Sequence, residues 1–291
     1  MKIGVSSYSY NQAIMAGQMT IYDVVDTAAN QGFESLDFAV LPDNEPLCEM
    51  AKKLAKRTRD AGISVKNYAV SADFLKNDLD KEIERLKGEL EIAATLGAKT
   101  FRHDTTWSNI YKLGYRTLEK ALPRIAEGVR AVTEYGQTLG IKTMVENHGQ
   151  LMQDSERMER LVSMVDHDNF GLLVDMGNFM CADEDPAKAV GRVAPFAFHV
   201  HAKDFLYKPV TAVDPGEAWF GTRAGAYLRG TVVGHGVVPV EACLRKLRDA
   251  GYDDEVAIEF EGMEPCVEAL RVGRDNVLKV MKELGVRSFR S

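Results

Sequence analysis

Cysteine is scarce in this chain of 291 residues, and no two cysteines stand close together. The four, Cys48, Cys181, Cys243 and Cys266, form no Cys-x-x-Cys pair, which argues against a metal site built on thiolates. We expect them to be reduced and mostly buried side chains of a cytoplasmic protein.

The sequence also lacks a membrane segment, a signal peptide and an excess of basic residues. No stretch approaches the roughly 18 consecutive apolar residues of a membrane span, and the N-terminal MKIGVSSYSY lacks the basic and then apolar layout of a signal peptide. Acidic residues outnumber basic ones, 43 to 36, whereas nucleic-acid binding requires a basic surface. We therefore expect a cytoplasmic protein that binds neither membranes nor nucleic acids.

What the chain does contain is a regular alternation of short, β-rich apolar runs with longer segments of helical spacing. The β-rich runs are 2–6, 35–40, 64–70, 100–103, 142–146, 170–175, 197–203 and 256–261. The helical segments are 22–31, 46–61, 79–96, 118–139, 155–165, 186–193, 239–250 and 266–284. The result is eight strand–helix units in strict order, with no linker between them.

Glycines mark the joints between these units. Five predicted strands begin within a few residues after a glycine at which a helix is expected to end: Gly32, Gly62, Gly97, Gly140 and Gly251. Because strand–helix alternation implies parallel strands, eight units predict the α/β class and one (β/α)8 TIM barrel over 1–291. A doubly wound sheet would need Gly-x-Gly-x-x-Gly after the first strand, where the sequence reads SSYSYNQ.

Polar side chains gather where the predicted strands end, which is where TIM barrels carry their active sites. The last four strands end with Glu146 and His148, with Asp175, with His199, His201 and Lys203, and with Glu259 and Glu261. Strands three and four contribute Asn67, Arg102, His103 and Asp104. Converging buried carboxylates are costly and repel one another. One divalent cation (Mn²⁺, Mg²⁺, Co²⁺ or Zn²⁺) would offset both effects.

Three of these strands carry their polar residues in pairs two positions apart: Glu146/His148, His199/His201 and Glu259/Glu261. The members of a pair point to the same face but differ in height by about 6.6 Å. Since metal–ligand bonds are about 2.0–2.6 Å long, one member of each pair is the expected ligand. Geometry alone leaves the choice within each pair open.

Four short segments resemble a known family: VENHG (145–149), LVDMG (173–177), HVHAKD (199–204) and AIEFEG (257–262). Together they are similar to the xylose-isomerase-like sugar phosphate isomerases and epimerases, over essentially the whole chain. Nearest in appearance are the barrels related to tagatose/psicose 3-epimerase, hydroxypyruvate isomerase and inosose dehydratase. The resemblance implies one divalent metal held by Glu146, Asp175, His201 and Glu259, with Glu261 as a competing ligand.

The chain departs from the family pattern in places that bear on the substrate. Asn178 stands where many members have histidine, and Gly234-His235-Gly236 replaces a Gly-Glu/Arg-Gly loop. The segment 207–233 is long and rich in glycine, arginine and aromatic residues. Loops longer than about 12–15 residues are usually functional or mobile.

The function implied by the resemblance is proton transfer next to a carbonyl, through an enediolate, by a metal-dependent sugar isomerase or epimerase. Glu146 and Glu259 would be the acid/base pair. The expected substrate contacts are His148, Lys203, Asn67, Arg102, His103 and Arg229. The expected partner is a small sugar or cyclitol, without a phosphate because no Gly-rich cradle follows strands seven and eight, and a homo-oligomer is possible.

Three other functions remain open from the sequence. The nearest alternative is a metal-dependent dehydratase that acts on a cyclitol or hydroxy acid through the same enolate chemistry. An apurinic endonuclease-like phosphodiesterase shares this barrel but requires a three-metal cluster with more ligands. A sugar-binding barrel without catalysis would need no metal.

Overall fold

Eight parallel strands close into a barrel in the computed structural model, which describes residues 1–39 and 41–286. The barrel strands are β1 Lys2–Ser6, β2 Ser35–Ala39, β3 Ser64–Val70, β4 Thr100–His103, β5 Lys142–Glu146, β6 Phe170–Asp175, β7 Ala197–Ala202 and β11 Glu255–Ile258. Closure comes from β1, which pairs with β2 on one side and with β11 on the other. The predicted TIM barrel is confirmed. Position 40 of the predicted second strand and positions 287–291 of the predicted domain lie outside the described residues.

Helices surround the barrel in the predicted order. They are α1 Asn11–Met15, α2 Ile21–Asn30, α3 Leu47–Asp60, α4 Leu79–Leu96, α5 Leu118–Thr138, α6 Ser155–Val165, α7 Pro186–Val193, α8 Val240–Asp249 and α9 Cys266–Glu283. The short α1 was not predicted, and the other helices end within a few residues of their predicted bounds. None of the helices in the described ranges is long and apolar enough to cross a bilayer.

The chain reverses from helix to strand at the five predicted glycines. Each has a positive φ, from 68° at Gly62 to 89° at Gly251. A side chain at such a position would clash with its own backbone, so glycine ends the helix at little cost. At the opposite end of several helices, an acidic or hydroxyl side chain accepts a backbone N–H bond: Thr20, Asp78, Asp154 and Asp185.

The long segment after β7 is folded rather than irregular. It forms an antiparallel sheet of β8 Asp204–Lys208, β10 Tyr227–Thr231 and β9 Phe220–Gly221, with β10 in the middle. Phe205 and Leu228 are completely buried in it, which explains why a polar, glycine-rich segment keeps a fixed structure. The expectation of a long loop is therefore corrected at 207–208, 220–221 and 227–231, and the connections between these strands are loops.

The cysteines are less uniform than expected. Cys243 and Cys266 are buried and Cys181 is half-buried, but Cys48 is exposed on α3. Burial raises the pKa of the Cys181 and Cys243 thiols to about 12, so both remain protonated at neutral pH.

Candidate metal centre

Four predicted ligands meet at the carboxyl end of the barrel. Glu146 ends β5, Asp175 ends β6, His201 lies in β7, and Glu259 directly follows β11. These four strands are neighbours in the barrel, and one ligand atom from each residue lies within 4.8 Å of the others. The cluster contains Glu259, whereas Glu261 lies outside it.

Two buried atoms of the cluster make no hydrogen bond, namely Asp175 Oδ2, which has only an ion pair with Lys203 Nζ at 3.2 Å, and His201 Nδ1. They lie 3.9 Å apart, and Glu259 Oε1 lies 3.6 Å from the same nitrogen, beyond hydrogen-bond length. An unsatisfied buried polar atom costs about 1–3 kcal/mol. Three carboxylates and one imidazole are a donor set that suits a divalent cation, so the residues present fit the expected metal.

The backbone orients Asp175 for this role. Its Oδ1 accepts hydrogen bonds from the amides of Gly177 (2.8 Å) and Asn178 (2.9 Å). The other oxygen, Oδ2, therefore faces the cluster. Burial raises the pKa of Asp175 to about 6 against the opposing charge of Lys203, with Glu146 and Glu259 adding to the rise. A bound cation would reverse this effect.

His201 is oriented by Asp37, a residue that the sequence analysis missed. Asp37 Oδ2 lies 2.9 Å from His201 Nε2 and 2.6 Å from His199 Nε2, and all three side chains are buried. A carboxylate on one imidazole nitrogen directs the other nitrogen to a metal. The signal was present in the sequence, since Asp37 interrupts the apolar strand SLDFA.

Lys203 places a buried cation beside the cluster. Its Nζ lies 2.7 Å from Glu259 Oε2, 3.2 Å from Asp175 Oδ2 and 3.0 Å from Glu261 Oε1. Burial opposes the charge of Lys203, but the carboxylates of Asp175 and Glu259 raise its pKa well above the ordinary value. Burial likewise opposes the charge of Glu259, and Lys203 with His201 holds its pKa well below the usual range.

Arg102 holds the opposite side of the cluster. Its Nη2 lies 2.7 Å from Glu146 Oε2 and 2.8 Å from Asp104 Oδ1. Asp104 Oδ1 is also 3.0 Å from His148 Nδ1, and Asp104 Oδ2 accepts a hydrogen bond from Trp107 Nε1 at 2.9 Å. Asp104 thus joins an arginine, a histidine and a tryptophan around the mouth of the site.

Two cavities adjoin the cluster. The inner one, of about 200 Å³, is lined by Glu146, His201 and Glu259 together with Arg102. The outer one, of about 530 Å³, reaches the three-stranded sheet. A larger cavity of about 840 Å³ lies at the opposite end of the barrel, away from the strand ends at which TIM barrels carry out catalysis.

Four predicted substrate contacts line neither of the two cavities beside the cluster: Asn67, His103, Arg229 and Lys203. Asn67 is buried inside the barrel, where it accepts a hydrogen bond from Thr100 Oγ1. His103 bonds through Nδ1 to the Asp104 carbonyl, and burial lowers its pKa to about 4. Arg229 lies 3.7 Å from Glu264. Lys203 nevertheless contacts two residues of the ligand cluster. The structure thus brings His148, Lys203 and Arg102 to the site but not Asn67, His103 and Arg229.

Comparison with known proteins assigns the chain to a family. The pattern of the xylose isomerase-like TIM barrel family matches residues 25–283. Inosose dehydratase from Clostridium perfringens (strain 13 / Type A) is 28% identical over 152 residues, covering 51% of this chain and 50% of that protein. The aligned part therefore spans only about half the length of that relative.

Two solved structures share the fold. The IolI protein with a bound zinc atom has a TM-score of 0.74 and 17% identity, covering 100% of both chains. D-psicose 3-epimerase from Clostridium cellulolyticum H10, solved with D-tagatose, has a TM-score of 0.74 and 16% identity, covering 97% of this chain and 99% of that one. At such identities these structures support the fold alone. Because the family pattern spans most of the sequence, the chain belongs to the xylose isomerase-like TIM barrel family.

Proposed function

We propose that this protein is a divalent-metal-dependent sugar isomerase or epimerase that transfers a proton next to the carbonyl of a polyhydroxy ketone. The observation that carries the proposal is the pair of glutamates in the ligand cluster. Glu146 lies on β5 beside Arg102, and Glu259 follows β11 beside Lys203. Two carboxylates, each against its own cation, supply the two proton-transfer groups that such a reaction requires.

Glu146, Asp175, His201 and Glu259 would hold the cation, which when bound polarises a carbonyl oxygen and stabilises negative charge on it. The Zn²⁺ of the IolI protein supports a divalent ion, and the donor set equally suits Mn²⁺, Mg²⁺ or Co²⁺. Within this site Lys203 and Arg102 add positive charge where the enediolate forms. Such fixed charges act strongly because the site is shielded from water.

Glu259 is suited to accept the substrate proton. Its depressed pKa keeps it ionised at neutral pH, and its side chain is only 12% exposed. A carboxylate of low pKa is a weak base, so the C–H bond must be held close in a dry site. Glu146 would return the proton from the β5 side of the cluster.

Dehydration of a cyclitol or hydroxy acid is the second candidate, and one contact favours it. His148 lines both cavities, and its Nδ1 lies 3.0 Å from Asp104 Oδ1 and 2.9 Å from Arg102 Nη2. A histidine oriented by a carboxylate can protonate a departing hydroxyl group without being a metal ligand. The likeness to inosose dehydratase supports the same reaction.

Proton NMR in D₂O tests both candidates. The protein, loaded with Mn²⁺ or Zn²⁺, is incubated with a panel of ketoses and cyclitol ketones. Deuterium exchange at one carbon next to the carbonyl is expected; an inverted or shifted carbonyl product would identify the isomerase or epimerase, and loss of water the dehydratase. Absence of exchange and of product across the panel, with one metal bound per chain, would overturn the proposal.

A further inference from the structure

The outer cavity offers more space than a single sugar ring at the metal centre would use. The inner cavity of about 200 Å³ is smaller than the roughly 300–1,000 Å³ of typical ligand pockets. The outer cavity of about 530 Å³ lies within that range. The two share the lining residues Tyr8, Trp107, His148 and Glu261, so they lie next to each other, with the inner one at the metal centre.

Three exposed aromatic side chains surround the outer cavity. Tyr8 is 39% exposed, Trp107 55% and Phe220 40%. Two of them are held in place, since Trp107 donates to Asp104 and Phe220 packs edge-on against Phe205 at 5.7 Å. Exposed aromatic rings grouped at one cavity are typical of ligand sites.

The outer wall of this cavity is fixed to the barrel. Arg223, which follows β9, bonds to Asp154 and to the Gln150 carbonyl, each at 2.7 Å. Its own amide donates to the Cys181 carbonyl at 2.9 Å. The wall therefore connects the loops after β5 and β6 and stands ready before a ligand arrives, which lowers the entropic cost of binding.

We propose that the substrate carries a second ring, and that this ring stacks between Trp107 and Phe220 while the sugar that reacts occupies the inner cavity. The substrate class is thus a glycoside, with a sugar or an aromatic group as the second ring, rather than a free monosaccharide. The assignment of the inner ring rests on the proposed function. The outer subsite rests on the cavity and its aromatic residues.

Calorimetric titration tests the subsite without requiring turnover. The metal-loaded protein is titrated with hexoses, with their methyl glycosides, with their phenyl glycosides and with disaccharides that contain the same hexose. We expect two-ring ligands to bind at least tenfold more tightly than the methyl glycoside of the same sugar. The phenyl and disaccharide arms tell which kind of second ring is preferred.

Substitution of Phe220 tests whether the tighter binding of two-ring ligands comes from the outer cavity. Phe220→Ala and Phe220→Leu should reduce the two-ring advantage to below threefold, and Phe220→Tyr should keep it. Tyr207→Ala, which removes an exposed aromatic ring of the same sheet outside this cavity, should also keep it. Thermal melting confirms that each variant is folded.

Equal affinity for one-ring and two-ring ligands, or an advantage that survives both Phe220→Ala and Phe220→Leu, overturns the glycoside assignment. Either result leaves the proton-transfer proposal intact, because deuterium exchange on a monosaccharide tests that separately. Conversely, a two-ring advantage without any exchange would keep the subsite and refute the chemistry.

Discussion

At the scale of single residues, the metal centre depends on side chains that do not touch the metal position. Asp37 holds the imidazole of His201 by a hydrogen bond at Nε2 of the histidine. Arg102 holds the carboxylate of Glu146 by an ion pair. Replacing such a supporting group usually lowers metal affinity about 10–100-fold. We therefore expect Asp37→Ala to weaken Zn²⁺ or Mn²⁺ binding by that factor in a chelator competition assay.

The control for Asp37 is Asp37→Asn, which keeps a hydrogen-bond acceptor and should lose less affinity. Unchanged affinity in Asp37→Ala, with the fold intact by circular dichroism, would show that His201 needs no such support.

Substitution by glutamine distinguishes the roles of Glu146 and Glu259 from that of Glu261. Glu146→Gln and Glu259→Gln should each abolish turnover, a loss of more than about 100-fold, because general acid–base groups typically contribute 10²–10⁴ in rate. Deuterium exchange measured by NMR gives the rate. Glu261→Gln should retain one metal per chain, because Glu261 contacts Lys203 outside the ligand cluster. Activity retained in both the Glu146 and Glu259 variants would refute their roles.

Glu255 makes stability depend on pH. It points into the barrel beside Gly4, where an added Cβ would lie 2.5 Å from its Oε1. Burial, with a contribution from Asp37, raises its pKa from 4.5 to about 8. Between these values the unfolded carboxyl is ionised and the folded one protonated, so the free energy of unfolding falls as pH rises.

Glu255→Gln removes this dependence. We expect the stability of the variant relative to the wild type to increase from pH 5 to pH 8, by up to roughly 1 kcal/mol per pH unit. Urea unfolding at four pH values measures the difference. A constant difference across this window would show that Glu255 is ionised in the folded protein.

At the scale of elements, the sheet of β8, β9 and β10 depends on a tether outside itself. Arg223 makes three hydrogen bonds to the barrel loops. Arg223→Ala should therefore accelerate amide hydrogen exchange in 207–226 several-fold and leave the barrel strands unchanged. Exchange followed by mass spectrometry measures this. Arg223→Lys, which cannot form the forked contact, should give an intermediate rate; equal protection in all three proteins would contradict the tether.

Elements with a strong periodic pattern could be predicted from the sequence, and those set by tertiary contacts could not. The barrel strands and eight of the nine helices in the described ranges follow from apolar spacing and glycine joints. The short α1 and the two-residue β9 have no pattern long enough to detect. The eighth barrel strand ends at Ile258, earlier than predicted, because alternation alone does not show where pairing with a neighbour stops.

Within the site, too, some features follow from the sequence pattern and others depend on tertiary contacts. The gathering of polar residues from β5, β6, β7 and β11 at one end follows from the alignment of parallel strands, whereas the choice of Glu146, Asp175, His201 and Glu259 among them came from the family resemblance. Asn67 and His103 lie away from the two cavities, which the sequence did not show because a strand pattern does not distinguish a side chain in the barrel interior from one at its mouth. Asp37 and Asp104 gain their importance from partners on distant strands, which spacing cannot identify.

At the scale of the whole molecule, a metal held by the ligand cluster would link the last four barrel strands. A cation that binds only the folded state stabilises it by about 2.7 kcal/mol at 100 times the dissociation constant. We therefore expect one equivalent of Mn²⁺ or Zn²⁺ to raise the melting temperature, and a chelator to reverse the rise. Metal analysis gives the stoichiometry.

The number of metal ions per chain also distinguishes the isomerase from the other functions considered. Three equivalents per chain would favour the phosphodiesterase, and no binding would favour a sugar-binding barrel. Glu146→Gln combined with Asp175→Asn should abolish the metal-dependent rise, whereas retention of the full rise would place the metal elsewhere.

The three-stranded sheet has a consequence for how this protein could diverge from its relatives. Its strands pair with one another and with no strand of the barrel sheet in the described part of the chain. It is joined to the loops at the end of the barrel by Arg223 and by an isolated bridge between Gly230 and Gly262. Insertions or deletions within 209–219, between β8 and β9, would therefore leave the register of the barrel strands and the ligand cluster untouched. At the proposed outer subsite, ligand preference would then change by recombination while the proposed proton-transfer groups are inherited unaltered.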